Sequence, residues 1–164
     1  MRQFATITRA SLALAIAFAG ASGAADARTA RKTCQVATEA QVTSLFDAFN
    51  AAWATKSPET VAAMFAPDAT LLPTVSNVER TTPDGIRAYF VNFLKGSPVG
   101  TIDSSTIRID CNTASRAGNW TVNLTDAATG NVTPVKARYT FIYKYVGGKW
   151  MISHLHSSVQ PPTK

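Results

Sequence analysis

His154 and His156 stand two residues apart near the end of the chain. At that spacing two imidazoles share one face of a strand, where they could serve as a general base, as ligand hydrogen-bonders or as metal ligands. A metal needs a third ligand, and neither a carboxylate nor a cysteine lies nearby in sequence, so no metal and no other cofactor is expected. The plainer alternative is that the imidazoles are satisfied internally by a tyrosine hydroxyl or a backbone carbonyl. Tyr139 and Tyr143 precede them, four residues apart and so on one face of a strand. Both suit a core, but a buried hydroxyl needs a partner and a pocket supplies one. Arg87 is the cation beside the apolar stripe Ile86, Tyr89, Phe90, Phe93 and Leu94. It either extends past the rim of a pocket or donates its planar fork to an acidic ligand. Of the carboxylates that could act as acid or base, Asp103 and Asp110 lie on the central strands with opposite parity, so at most one could face a pocket. Ser157-Ser158 lacks the glycines of a nucleophile elbow.

The elements that must position these groups follow from spacing. Gly147-Gly148 separates two period-2 runs, the pattern of a hairpin whose central residues take positive φ. With Val146 opposite Lys149, a regular ladder pairs Tyr145 with Trp150, Tyr143 with Ile152, Phe141 with His154 and Tyr139 with His156. That face is aromatic and carries both histidines. The other face holds Arg138, Thr140, Ile142, Lys144, Met151, Ser153, Leu155 and Ser157. Upstream, Thr38-x-x-Gln41 is a capping box for a helix with a stripe at Val42, Leu45, Phe46, Phe49, Ala52 and Trp53. Ser57-Pro58-Glu59 starts a shorter helix, and Thr82-Pro83-Asp84 a third that closes at Lys95-Gly96. Ala69 to Pro73 reads as a strand, Ile102 to Cys111 as one long strand, Asn112–Ala117 as a turn and Gly118 to Thr125 as another strand. Helices first and antiparallel strands last predict an α+β fold with helices on one face of the sheet.

The 164 residues suffice for one domain, and a hydrophobic content of 46% allows a sizeable core. Residues 1–27 read as a signal peptide: Arg2 and Arg9, an apolar run from Leu12 to Phe18, then Ala-Asp-Ala at 25–27. The competing reading is a retained N-terminal anchor, although the run is short for a membrane span. Cleavage after Ala27 removes two basic residues and one acidic, taking the net charge from +6 to +5. Residues 28–36 are then a tail containing Cys34, 37–161 the folded domain and 162–164 a second tail. The basic residues are dispersed, so nucleic acid is not an expected partner, and no membrane association is expected after leader removal. In an exported, periplasmic or secreted chain, Cys34 and Cys111 are most simply one disulfide, closing a loop of about 77 residues worth at most ~4–5 kcal/mol; the alternative is two separate thiols. The lack of Cys-x-x-Cys argues against thiol redox catalysis.

Arg87-x-Tyr89-Phe90-Val91-Asn92-Phe93-Leu94, Val122-Asn123-Leu124-Thr125 and Gly148-Lys149-Trp150-x-x-x-His154-x-His156-x-Ser158 with Pro161 resemble the association (hub) domain of calcium/calmodulin-dependent protein kinase II. They resemble still more its exported bacterial relatives of SgcJ/EcaC or SnoaL-like type, within the nuclear-transport-factor-2-like superfamily. The resemblance spans roughly Ala37 to Pro161. It implies a cone: three N-terminal helices on a strongly curved, mainly antiparallel sheet. It also implies a homodimer or ring, and a cone pocket for small anions lined by arginines. Arg87 stands where the hub has one such arginine, Asn123 replaces a second, and Phe141 or Arg138 falls at the third. The kinase signatures themselves are missing. Three functions are compatible with these residues. One is an exported binder of a small acid or aromatic compound through Arg87, Asn123, Tyr139, Tyr143, His154 and His156. Another is a cofactor-free isomerase, cyclase or hydrolase with a histidine base. The last is an oligomerisation module without ligand.

Overall fold

A computed structural model describes residues 34–162. The leader expected at 1–27, tail residues 28–33 and the last two residues lie outside that range. The capping box forms as the sequence predicts. The Thr38 hydroxyl accepts from the Gln41 amide, the Gln41 side chain accepts from the Thr38 amide, and α1 (Glu39–Ala54) follows. Ser57 caps α2 (Pro58–Ala62) and Thr82 caps α3 (Pro83–Phe93), each with proline in the first turn. A 3-10 turn (Leu94–Gly96) ends α3, with Ser97 rather than glycine in the left-handed region.

Six strands form one sheet: β1 (Phe65–Leu72), β2 (Val99–Ile102), β3 (Thr106–Asp110), β4 (Thr113–Thr125), β5 (Val132–Val146) and β6 (Lys149–Val159). Their order is β1-β6-β5-β4-β2, with β3 also on β4; β1 runs parallel to β6 and the other pairs are antiparallel. This is the expected α+β architecture, three helices on one face of a curved, mainly antiparallel sheet. The helices bury Phe46, Phe49, Trp53 and Phe90 against Trp120, Phe141 and Tyr143, mostly as edge-to-face aromatic pairs. Cys34 and Cys111 form the expected disulfide, Cα atoms 5.1 Å apart, which ties the segment before α1 to the β3–β4 turn. Beside it the Gln35 amide donates to Asn112 Oδ1 at 2.9 Å.

Two strand assignments differ from the sequence reading. The run from Ile102 to Cys111 is two strands, broken at the polar residues 103–105, and β4 begins at Thr113 rather than after a turn at 112–117. On β4 the even positions Ala114, Arg116, Trp120 and Val122 are buried while the odd ones are not, so the run is a regular half-buried strand. Gly118 sits in that inner row because a Cβ there would stand 2.0 Å from the Ser104 carbonyl oxygen. That same carbonyl accepts from the Tyr139 hydroxyl at 3.0 Å.

The consequential difference lies in the hairpin. Gly147 and Gly148 have φ of 57° and 86°, as a primed turn requires. The expected register holds from Val146–Lys149 to Tyr143–Ile152, and then shifts. Ile142 pairs with His154, Phe141 with Leu155, Thr140 with His156 and Tyr139 with Ser157. Ser153 is the extra residue of a β-bulge, its hydroxyl donating to the Ile142 carbonyl at 3.1 Å. The cause is a parity conflict. Ile152 and Leu155 are both buried, yet residues three apart on a regular strand face opposite ways. Exposing Leu155 would forfeit about 1.5–3 kcal/mol of burial, whereas two imidazoles lose little by facing water. One inserted residue resolves the conflict in favour of leucine.

Candidate functional site

The inner face of the sheet and the helices enclose a narrow apolar slot. Its walls come from α1 (Phe49, Trp53), α3 (Tyr89, Phe90, Phe93) and β4 (Trp120, Val122, Leu124), with Leu155 and Ser157 of β6 at its base. About 30 Å³ within it is open to a water-sized molecule, so the slot accepts a chain end or a ring edge rather than a bulky body. Three of its polar groups meet at one place. Trp120 Nε1 donates to Ser157 Oγ at 3.1 Å, and Ser157 is also hydrogen-bonded to the Thr74 hydroxyl.

Val75, Tyr89, Phe93 and Leu124 also wall a wider vestibule of about 600 Å³. Arg80, Ser76 and Asn92 supply its polar lining, and none of its walls is acidic. The Arg80 guanidinium lies 6.0 Å from the Tyr89 ring centroid and is steadied by the Val78 carbonyl and by Ser76 Oγ at 3.3 Å. Among the described residues no carboxylate is within ion-pair distance of it. Asn92 Oδ1 accepts from Lys95 Nζ at 2.9 Å, which holds a second cation at the rim. The slot and vestibule together form an apolar cleft with a positive mouth, suited to a ligand that has a greasy end and an acidic head.

The residues singled out in the sequence are not brought together. The bulge turns His154 and His156 to the outer face of the sheet, beside Thr140 and Ile142. The expectation that they floor the cone is therefore corrected, and a histidine base acting inside the cone has no structural support. Asn123 also faces outward, since its neighbours Val122 and Leu124 wall the slot. Arg87 lies outside the slot and vestibule, 3.7 Å from Glu59 and 3.9 Å from Asp84, half-exposed. Tyr139 and Tyr143 do face inward, but the Tyr139 hydroxyl is taken by Ser104, and neither residue walls the slot. Among the described residues no cluster of three potential metal ligands exists.

The slot and vestibule residues that sequence reasoning passed over are Arg80, Tyr89 as a rim group, Thr74 and Ser157. Arg80 and Thr74 sit in the irregular segment before α3, where no periodicity orients a side chain. Arg80 is placed by a lone bridge, its amide and carbonyl paired with those of Leu71 at 2.8 Å. Ser157 could have been found from the parity of Ile152 and Leu155, which announces the bulge.

Two titrating groups are shifted. Burial pushes the Tyr89 hydroxyl well above its ordinary range and the Arg80 charge draws it partly back, so it stays protonated and able to donate. Burial, and secondarily the nearby His156, hold the His154 imidazole below its ordinary value. A lowered histidine favours the neutral folded form, so its contribution is intact above the unfolded value of about 6.5 and is lost as pH falls through the folded value. Thermal unfolding between pH 8 and pH 5 should therefore show a decline at the acid end that is smaller in His154→Gln. An unchanged decline in the variant would remove His154 as its source.

A family model for the calcium/calmodulin dependent protein kinase II association domain matches residues 38–161. A solved Xanthomonas campestris structure described as such a domain is 46% identical, with a TM-score of 0.72, the match covering 75% of this chain and 88% of that one. A Salmonella enterica protein of the nuclear transport factor 2-like superfamily has a TM-score of 0.64 at 14% identity, covering 76% of this chain and 92% of that one, a likeness of fold alone. A Caulobacter vibrioides protein with a cystatin-like fold has a TM-score of 0.60 at 21% identity, over 74% and 88% of the two chains, again a likeness of fold. No curated protein matches the sequence.

Proposed function

This chain belongs to the calcium/calmodulin-dependent protein kinase II association domain family, and we propose that it is an exported binding protein for small amphiphilic acids. The observation that carries this reading is the apolar slot opening into a vestibule that bears Arg80 and no carboxylate. The apolar end of the ligand enters between Trp53, Tyr89 and Trp120, and its acid group stays at Arg80. Export is supported by the leader-like residues 1–27 and by the Cys34–Cys111 disulfide. No helix among the described residues is long and apolar enough to cross a membrane.

The test is thermal unfolding with hexanoate and phenylacetate beside their uncharged amides. Binding to the folded state alone raises the melting temperature with ligand concentration. The acids should raise it and the amides should not. Equal response to acids and amides, or none to either, sinks the reading.

Assembly is a second part of the proposal. The sheet face opposite the helices carries half-exposed Thr140, Ile142, His154 and Thr121, flanked by Lys136, Arg138 and Lys144, and a second copy could cover its centre. Light scattering at micromolar concentration should give a dimer or larger species, and a monomer would refute it.

A further inference from the structure

Outside the cone, on the face of the sheet turned away from the helices, two polar cross-strand pairs stand side by side. Arg138 is opposite Ser158, and Thr140 is opposite His156. Positions across such a ladder are about 5 Å apart, and alternate positions along a strand about 7 Å, so one compact ligand group can touch all four side chains. The bulge at Ser153 creates this cluster. In a regular ladder His156 would face inward against Tyr139, and Ser157 would stand opposite Arg138. Long side chains at two diagonal corners, Arg138 and His156, and short hydroxyls at the other two leave a depression of about 290 Å³. The sheet is held firmly at this end. Beyond β6 the Gln160 amide donates to the Lys136 carbonyl at 2.9 Å, and the Gln160 side chain donates to the Ala137 carbonyl at 3.3 Å.

The lining selects the chemistry of its ligand. The guanidinium, both hydroxyls and an imidazole N–H are all hydrogen-bond donors. Arg138 Nη2 donates only a long bond, 3.5 Å, to the Val159 carbonyl. Among the described residues no carboxylate comes within ion-pair distance of Arg138. Neither β5 nor β6 contains Asp or Glu. The carboxylates at the margins of this face are engaged: Asp68 lies 3.9 Å from Lys144, and Asp103 accepts from the Thr121 hydroxyl at 2.8 Å. Lys136 stands on the same face two residues before Arg138 and adds to the positive field. Donors on several sides with no fixed acceptor among the charged groups call for a partner with several acceptor oxygens and a high negative charge. A dianionic phosphate group has three terminal oxygens, and two of them match the planar guanidinium fork. A carboxylate, with two oxygens and one charge, would leave part of the set unused.

We propose that this depression binds a dianionic phosphate group, free or as the end of a small monoester. Arg138 takes two of its oxygens, and His156, Thr140 and Ser158 donate to the remaining acceptor positions. The slot and vestibule lie on the other side of the sheet and share no wall residue with it, so the site goes beyond the amphiphilic-acid reading and does not depend on it. Thr140 is the one residue it has in common with the surface offered to a second copy, which the site therefore borders.

Titration calorimetry with glycerol 3-phosphate, in a chloride buffer of fixed ionic strength, tests the site. One saturable site is expected. Arg138→Gln should weaken binding about tenfold or more, and His156→Ala about threefold or more. Both side chains are exposed, so the variants should keep the wild-type melting temperature. Dimethyl phosphate, with one charge and two terminal oxygens, should bind at least about tenfold more weakly than the monoester. Arg80→Gln should leave glycerol 3-phosphate affinity unchanged, which separates this site from the vestibule. Inorganic phosphate distinguishes the two sources of the group: tighter binding of glycerol 3-phosphate assigns a monoester, and equal or tighter binding of inorganic phosphate assigns the free ion. No saturable binding of either, wild-type affinity in both Arg138→Gln and His156→Ala, or equal binding of dimethyl phosphate overturns the proposal.

Discussion

Leu155→Ala should lower the free energy of unfolding by about 3 kcal/mol, while His156→Ala should change it by less than about 0.5 kcal/mol. The difference follows from the bulge at Ser153. Leu155 is 3% exposed, pairs with Phe141 and walls the slot. Truncating it removes its burial energy and leaves a cavity among aromatic rings that cannot collapse onto one alanine. His156 is exposed on the other face, opposite Thr140. In a regular hairpin the two costs would be exchanged, because His156 would stand inside against Tyr139 and Leu155 would face water. Urea unfolding of the two variants therefore reports the register of β6 without any ligand. A large loss in His156→Ala with little in Leu155→Ala would restore the regular ladder and move both histidines into the cone.

The second large effect concerns binding. Arg80→Gln should weaken binding of hexanoate or phenylacetate by tenfold or more, the loss expected when a charged hydrogen bond worth about 1.5–3 kcal/mol disappears. Arg87→Gln should leave binding unchanged, since Arg87 faces Glu59 and Asp84 outside the cleft. Arg80 also braces the Ser76–Glu79 segment through the Val78 carbonyl and Ser76, so its removal could act on the loop rather than on the ligand. Arg80→Lys separates the two. It keeps the positive charge but not the planar fork that bonds the loop, and it should recover much of the affinity. Titration calorimetry on the three variants measures this. Failure of Arg80→Lys to recover any affinity would assign Arg80 a bracing role instead.

Much of the fold was legible before any coordinates. Capping residues at Thr38, Ser57 and Thr82 and the Gly147-Gly148 turn are local signals, and local hydrogen bonds decide them. The family resemblance extended over nearly the same residues as the family match. The candidate site was much less legible. His154 and His156 drew attention by residue type, but their face depends on whether the strand is regular. That is a tertiary question decided by Leu155 and Ile152 competing for the core. The parity break between those two residues was present in the sequence and carried more information than the histidines. Arg116 was hidden by its polar neighbours Ser115 and Asn112, which read as a turn until pairing with β3 and β5 made them a strand. Arg80 had no local signal at all, because the segment before α3 is ordered by one bridge to Leu71 and by its own side chain.

A crystal structure with phenylacetate bound tests the central claim most directly. The ring edge should lie between Trp53, Tyr89 and Trp120, with the carboxylate within hydrogen-bond distance of Arg80. A carboxylate found instead at Arg87, or beside His154 and His156 on the outer face, with the slot empty, would contradict it.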